Sequence, residues 1–156
     1  MLARGHLACI GALLAAAVIA GCGAGEGSDA AEQPQLEMSA AEIAKLPPLT
    51  VPTPQGPAPR GLVVHDLRKG SGAVMKEGDT MLIAWVGIPY EEASAAAPPS
   101  PERQLEFTYG KFIEGWEKGI PGMKVGGRRE LIVPPRLGDT GLTMVYVIDL
   151  LGVKPA

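Results

Sequence analysis

Few side chains in this sequence are suited to acid–base or nucleophilic chemistry. There are two histidines, His6 and His65, and two cysteines, Cys9 and Cys22. A hydrolytic triad needs a histidine to activate its nucleophile. Only His65 lies beyond the N-terminal apolar run. It sits within Leu62-Val63-Val64-His65-Asp66-Leu67, a strand pattern in which a structural or surface role suits it. Metal sites need clustered histidines, cysteines or carboxylates. Glu91-Glu92 read as loop surface, and Glu114 and Glu117 as one solvated helix face. Gly70-Ser71-Gly72 lacks the third glycine and the following helix of a dinucleotide loop, and no glycine-rich segment ends in Lys-Ser or Lys-Thr. What remains is apolar: Trp85, Leu105, Phe112, Ile113, Trp116 and Tyr146. Such a set can line a binding pocket, and it can equally be the core of a small domain. No cofactor and no metal is expected.

The elements that must position this set fall in the second half of the chain. All seven aromatic residues of the 156 lie between Trp85 and Tyr146. Strands are expected at Leu62–Leu67, Thr80–Ile88, Gln104–Tyr109, Arg128–Val133 and Thr143–Leu151. Met81, Ile83 and Trp85 share one face of the second strand, and Met144, Tyr146, Ile148 and Leu150 one face of the last. A short helical piece, Phe112–Gly119, is closed by Pro121-Gly122. With one helix among strands and no βαβ rhythm, the expected class is α+β, an antiparallel sheet packed on one helix over residues 60–154.

The first 59 residues read differently. Residues 1–21 resemble a secretory signal: Arg4, then an uncharged 14-residue run from Leu7 to Ala20, too short to span a bilayer comfortably. Ile19-Ala20-Gly21-Cys22 resembles the bacterial lipobox, which implies acylation of Cys22 and cleavage before it. Stable anchoring by two or three acyl chains would follow. Residues 22–59 hold seven prolines, no aromatic residue and one lysine against five acids, and read as a disordered tether. Within it, Ser39 and Glu42 form a capping-box pattern for a short helix up to Leu46. Residues 60–156 carry twelve charges of each sign, so no basic patch emerges and nucleic acid is not an expected partner.

The stretch Phe112-Ile113-Glu114-Gly115-Trp116-Glu117-Lys118-Gly119-Ile120-Pro121-Gly122-Met123-Lys124-Val125-Gly126-Gly127-Arg128-Arg129 closely resembles the central motif of the FKBP-type peptidyl-prolyl cis-trans isomerases. Leu131 to Gly138 and Thr143 to Leu151 resemble that family's following strand and closing strand. The resemblance implies an antiparallel β half-barrel curled round one short α-helix, with a prolyl pocket between them. Trp116 would be its floor, Ile113 would offer its backbone N–H to a substrate carbonyl, and Phe112, Leu105 and Tyr146 would be walls. Trp85 stands where the family usually has tyrosine. Two departures stand out. Ala95-Ala96 replace a usual Phe-Asp pair, and Asp139 replaces a tyrosine ahead of a flap about ten residues short. The resemblance therefore implies a lipid-anchored isomerase of weak activity, acting on Xaa-Pro segments of exported proteins. The anchor would lie in the cell membrane or outer membrane, and a monomer is expected. A non-catalytic Pro-directed binding or chaperone module on the same fold is the second reading, and a purely structural envelope lipoprotein the third.

Overall fold

The computed structural model describes residues 36–93 and 105–156, with the side chain of Leu105 left out. The signal segment, Cys22, residues 22–35 and Ala95-Ala96 lie outside the described residues.

Five strands, β1 (Val63–Arg68), β2 (Thr80–Pro89), β3 (Leu105–Thr108), β4 (Arg128–Val133) and β5 (Met144–Lys154), form one antiparallel sheet in the order β1-β4-β5-β2-β3. Helix α2 (Glu114–Gly119) packs on one face, giving the expected α+β class. β5 runs past the expected Leu151 because a bulge absorbs it. Ile83 pairs with Leu150 and Leu82 with Gly152, which leaves Leu151 as the extra residue. The bulge resets the alternation, so that Leu151 faces one side of the sheet and Val153 joins Leu150 and Ile148 on the other.

On the helix side, Met81, Ile83, Leu131, Val133, Ile148 and Leu150 surround Trp116, Ile120, Met123 and Val125. The helix comes very near β4 because its packed face is glycine. A Cβ on Gly115 would stand 2.5 Å from Val133 Cγ1, and one on Gly119 2.6 Å from Leu131 Cδ2.

The other face is covered by the segment read as a tether, which corrects that reading from residue 36 onward. Leu49 and Val51 are buried there, and Met38, Ile43, Leu46 and Ala58 pack beside them on Ala84, Val86, Ile132, Val145, Val147 and Leu151. Residues 36–59 thus form a strap. Its first part joins the bulge: Met38 N–H donates to Leu151 C=O at 2.7 Å, and Val153 N–H to Leu36 C=O at 2.7 Å. Helix α1 (Ala40–Ile43) follows with the expected capping box, Ser39 and Glu42 satisfying each other's backbone N–H. Arg128 then holds the proline pair, donating to Pro48 C=O at 2.9 Å and Pro47 C=O at 2.6 Å. The same guanidinium makes a fork with Asp149 (Nε 2.8 Å, Nη2 2.7 Å), and Arg68 shares that carboxylate at 3.0 Å. Tyr90 OH donates to Gly56 C=O at 3.2 Å and fastens the far part. A Pro-rich strand loses little backbone freedom on docking, so six modest apolar side chains suffice to seat it.

Candidate functional site

The loop leading into α2 sets the site. Ile113 is the N-cap in extended conformation (φ −62°, ψ 142°), so the chain turns sharply and its carbonyl accepts from Trp116 N–H at 3.0 Å and Glu117 N–H at 3.2 Å. The Glu117 carboxylate reaches back to Phe112 N–H at 3.3 Å. Glu117 is therefore not the solvated partner of Glu114 that the sequence suggested. Glu114 alone is exposed, paired one turn on with Lys118. Ile113 N–H has no partner among the described residues. At the other end of the helix Arg129 donates to Gly119 C=O at 2.7 Å and, more weakly, to the carbonyls of Ile120 and Pro121. Its Nε is anchored on Asp66 at 2.6 Å. A cation at a helix C-terminus meets the negative end of the dipole and fills orphan acceptors.

Held at both ends, α2 presents Trp116, only 4% exposed, to the concave face of the sheet. Four rings surround it. Trp85 and Tyr146 meet it edge-on, with centroids at 5.3 and 5.2 Å, and Phe107 does so at 5.8 Å. Phe112 stacks on it at 5.6 Å and 25° and touches Phe107 edge-on at 3.9 Å. Trp85, Phe107, Phe112 and Ile113 are half-buried and form the rim. Gly87 leaves room for this. A Cβ there would lie 2.5 Å from the Tyr146 ring, which crosses directly over the β2 backbone.

The structure thus brings together five of the six residues expected at the site: Trp85, Phe112, Ile113, Trp116 and Tyr146. The sixth, Leu105, lies on β3, and its side chain is outside the described residues. Phe107 was missed as a site residue. The signal was present, because β3 alternation puts Phe107 on the same face as Leu105. His65 is exposed, with Nδ1 3.0 Å from Glu130 on the next strand, as its surface reading required. Tyr90 belongs to the strap face and lends nothing to the pocket.

The electrostatics are those of an apolar slot. The indole N–H groups of Trp85 and Trp116 are buried with no hydrogen-bond partner among the described residues. Burial pushes the Tyr146 phenol up from its ordinary range, and the Asp139 carboxylate adds to the shift. No group of three or more His, Cys, Asp or Glu side chains among the described residues is placed to hold a metal.

Comparison with known proteins matches residues 72–142 to the FKBP-type peptidyl-prolyl cis-trans isomerase family. A probable FK506-binding protein of Corynebacterium glutamicum is 34% identical over 130 residues, covering 77% of this chain and 98% of that one. This chain belongs to the FKBP-type peptidyl-prolyl cis-trans isomerases. An FK506-binding protein of Streptomyces anulatus is 37% identical over 114 residues, covering 64% of this chain and 92% of its own. Among solved structures, FkpA of Escherichia coli superposes with a TM-score of 0.53 at 25% identity, over 74% of this chain and 56% of that one. The isomerase match spans β2, β3, α2 and β4 and includes every ring of the Trp116 cluster except Tyr146.

The chemistry of this family needs no nucleophile. Amide resonance puts a barrier of about 18–20 kcal/mol on rotation about the peptide bond. The planar amide is more dipolar than the twisted one. A water-poor aromatic slot therefore favours the twisted form relative to the planar one, which is transition-state complementarity without covalent chemistry.

Proposed function

We propose that the Trp116 cluster is the prolyl pocket of an isomerase that works on Xaa-Pro segments of exported polypeptides from a lipid anchor at Cys22. The ring cage on Trp116 carries this reading. Trp116 is the floor, with Tyr146 and Phe112 as walls, Trp85 and Phe107 as rim, and the unpartnered Ile113 N–H donates to the carbonyl of the bound segment. Catalysis is weaker than in family members with a long flap. Only ten residues, 134–143, join β4 to β5, and they leave one side of the slot short of cover and open to water.

Isomerisation of a short Xaa-Pro peptide by the full chain tests the site. Trp85→Ala, at the half-buried rim, should remove most of kcat/KM while shifting the denaturation midpoint less than a core truncation does. Unchanged turnover in that variant would place the active slot elsewhere. The anchor is tested by labelled fatty acid, which should enter the parent and not Cys22→Ala. Equal labelling of both would remove the lipobox from the account.

A further inference from the structure

A second concave site lies between the end of β1 and the turn that leads into β4. It is an open cleft of about 290 Å³ that shares no residue with the aromatic slot. Arg68, Lys69, Lys124 and Arg129 line it, with Asp66 as its one carboxylate. We propose that this cleft binds a phosphate group.

The charges do not cancel. Asp66 is taken by Arg129 at 2.6 Å. Asp149, behind the cleft, is shared by Arg68 and Arg128, so one carboxylate answers two guanidinium groups. The Lys69 and Lys124 side chains are exposed and make no ion pair or hydrogen bond among the described residues, although Lys69 is near enough to Asp66 to help hold its carboxyl low. Donors also remain. Arg68 uses Nε on Gly126 C=O and Nη2 on Asp149. Arg129 uses Nε and Nη1. The remaining terminal nitrogen of each has no partner among the described residues.

The walls are fixed before any ligand arrives. A Cβ on Gly70 would meet Val125 C=O at 2.3 Å and Lys124 C=O at 2.4 Å, so backbone packs on backbone there and no side chain can fill the space. Two anchored guanidinium groups and two free ammonium groups offer more donors than one carboxylate has lone pairs to use. A phosphate, with three or four oxygens and up to two charges, matches them better. The volume exceeds that of the bare ion, so a phosphate bearing a small substituent fits. It could come from a soluble phosphomonoester or from a phospholipid head group.

The full chain is titrated at low salt with inorganic phosphate and with glycerol 3-phosphate. It is also floated with phosphatidylglycerol vesicles, phosphatidylcholine vesicles giving the baseline. The test variant is Lys69→Ala with Lys124→Ala. The control is Lys45→Ala with Lys76→Ala, an equal charge change away from the cleft. Saturable binding by parent and control, weakened at least tenfold in the test variant, is expected. Binding of either soluble probe without flotation on phosphatidylglycerol above the phosphatidylcholine baseline marks a soluble phosphate ligand. Flotation on phosphatidylglycerol above that baseline, weakened in the test variant, marks a lipid head group. Absence of saturable binding to every probe, or equal weakening in the control, overturns the proposal. Circular dichroism of both variants guards the comparison, and Lys124→Gln alone, with a smaller loss expected, repeats it with minimal change.

Discussion

Replacing Gly115 by alanine tests whether the site depends on how near α2 lies to β4. The added Cβ would stand 2.5 and 2.8 Å from the two γ-carbons of Val133. Carbon atoms in contact normally sit about 3.5–4.0 Å apart, so the gap must open by about 1 Å. Val133 is fully buried on β4 and yields little, because its neighbours fill the space around it and a β-branched side chain is restricted at χ1. Overpacking of this kind costs about 1–3 kcal/mol. Alanine returns about 1 kcal/mol in helix propensity over glycine. The net expectation is a loss of up to about 2 kcal/mol, read as a lower urea midpoint with unchanged slope. Trp116 follows Gly115 in the chain and moves with the helix. A displacement of about 1 Å at a catalytic surface can reduce rate by up to about 100-fold, so Xaa-Pro isomerisation should drop by about tenfold or more. Adding Val133→Ala should recover part of both losses, giving a coupling of about 1 kcal/mol in a double-mutant cycle. Gly115→Ala with parental stability and parental turnover would refute the claim that close approach of helix and strand positions the floor.

Other consequences can be measured separately. Arg128→Met releases the strap and should cost about 3 kcal/mol, the lower end for a broken buried pair because Arg68 still holds Asp149. Limited proteolysis should then cut within residues 47–59, which resist in the parent. A fragment beginning at residue 60 should aggregate or unfold, because Val145, Val147 and Leu151, fully buried beneath the strap, would face water. The Asp66 carboxyl is held below its ordinary value of 3.8 chiefly by the Arg129 hydrogen bond. The folded form therefore binds that proton less readily than the unfolded chain. Its stabilisation is complete above about pH 4 and is lost as pH falls through the lowered folded value. Asp66→Asn should flatten the acid limb of the stability profile by under about 1 kcal/mol, since the carboxylate is 42% exposed.

The sheet and the site were legible where side chains alternate or where a motif is dense. Residues 112–129 carry helix and aromatic residues in one uninterrupted stretch, so the helix was found within two residues of its start, while the glycine face and the role of Glu117 were not. The strap was not legible from its own composition, which is that of a disordered chain. Its existence was written in the partner. Val145 and Val147 alternate with Met144, Tyr146 and Ile148, Leu151 follows Leu150, and Asp149 is the one charged residue of the run; a strand so largely apolar on both sides requires cover on both. An antiparallel sheet with one solvated face would have placed polar residues there. Phe107 was legible and overlooked. The β3 alternation sets it beside Leu105, already expected in the pocket, and what spacing does not record is its partner, Met81 on β2. The clasp of Glu117 on Phe112 N–H likewise depends on the exact angle at which the chain enters α2.

The contacts that fix the depth and the two ends of α2 lie on the helix–β4 side of the slot. Gly115 and Gly119 set the depth of α2, Glu117 fixes the entering loop, and Arg129 fixes the leaving one while tying it to β1 through Asp66. None of these passes through residues 134–143. In the proposed reading a short connection there leaves α2 in place and acts through cover, Leu137 being the side chain it adds to the core around Trp116. Cover and floor contribute different things to catalysis. A rigid floor shapes the slot for the twisted amide, while cover excludes water, which favours the twisted form further, and adds contacts that hold planar and twisted forms alike. Only those shared contacts act on KM alone, and loss of water exclusion lowers kcat as well. A slot with an ordered floor and a short roof, as proposed above, would therefore lose substrate capture and part of its preference for the twisted amide while the floor keeps its shape.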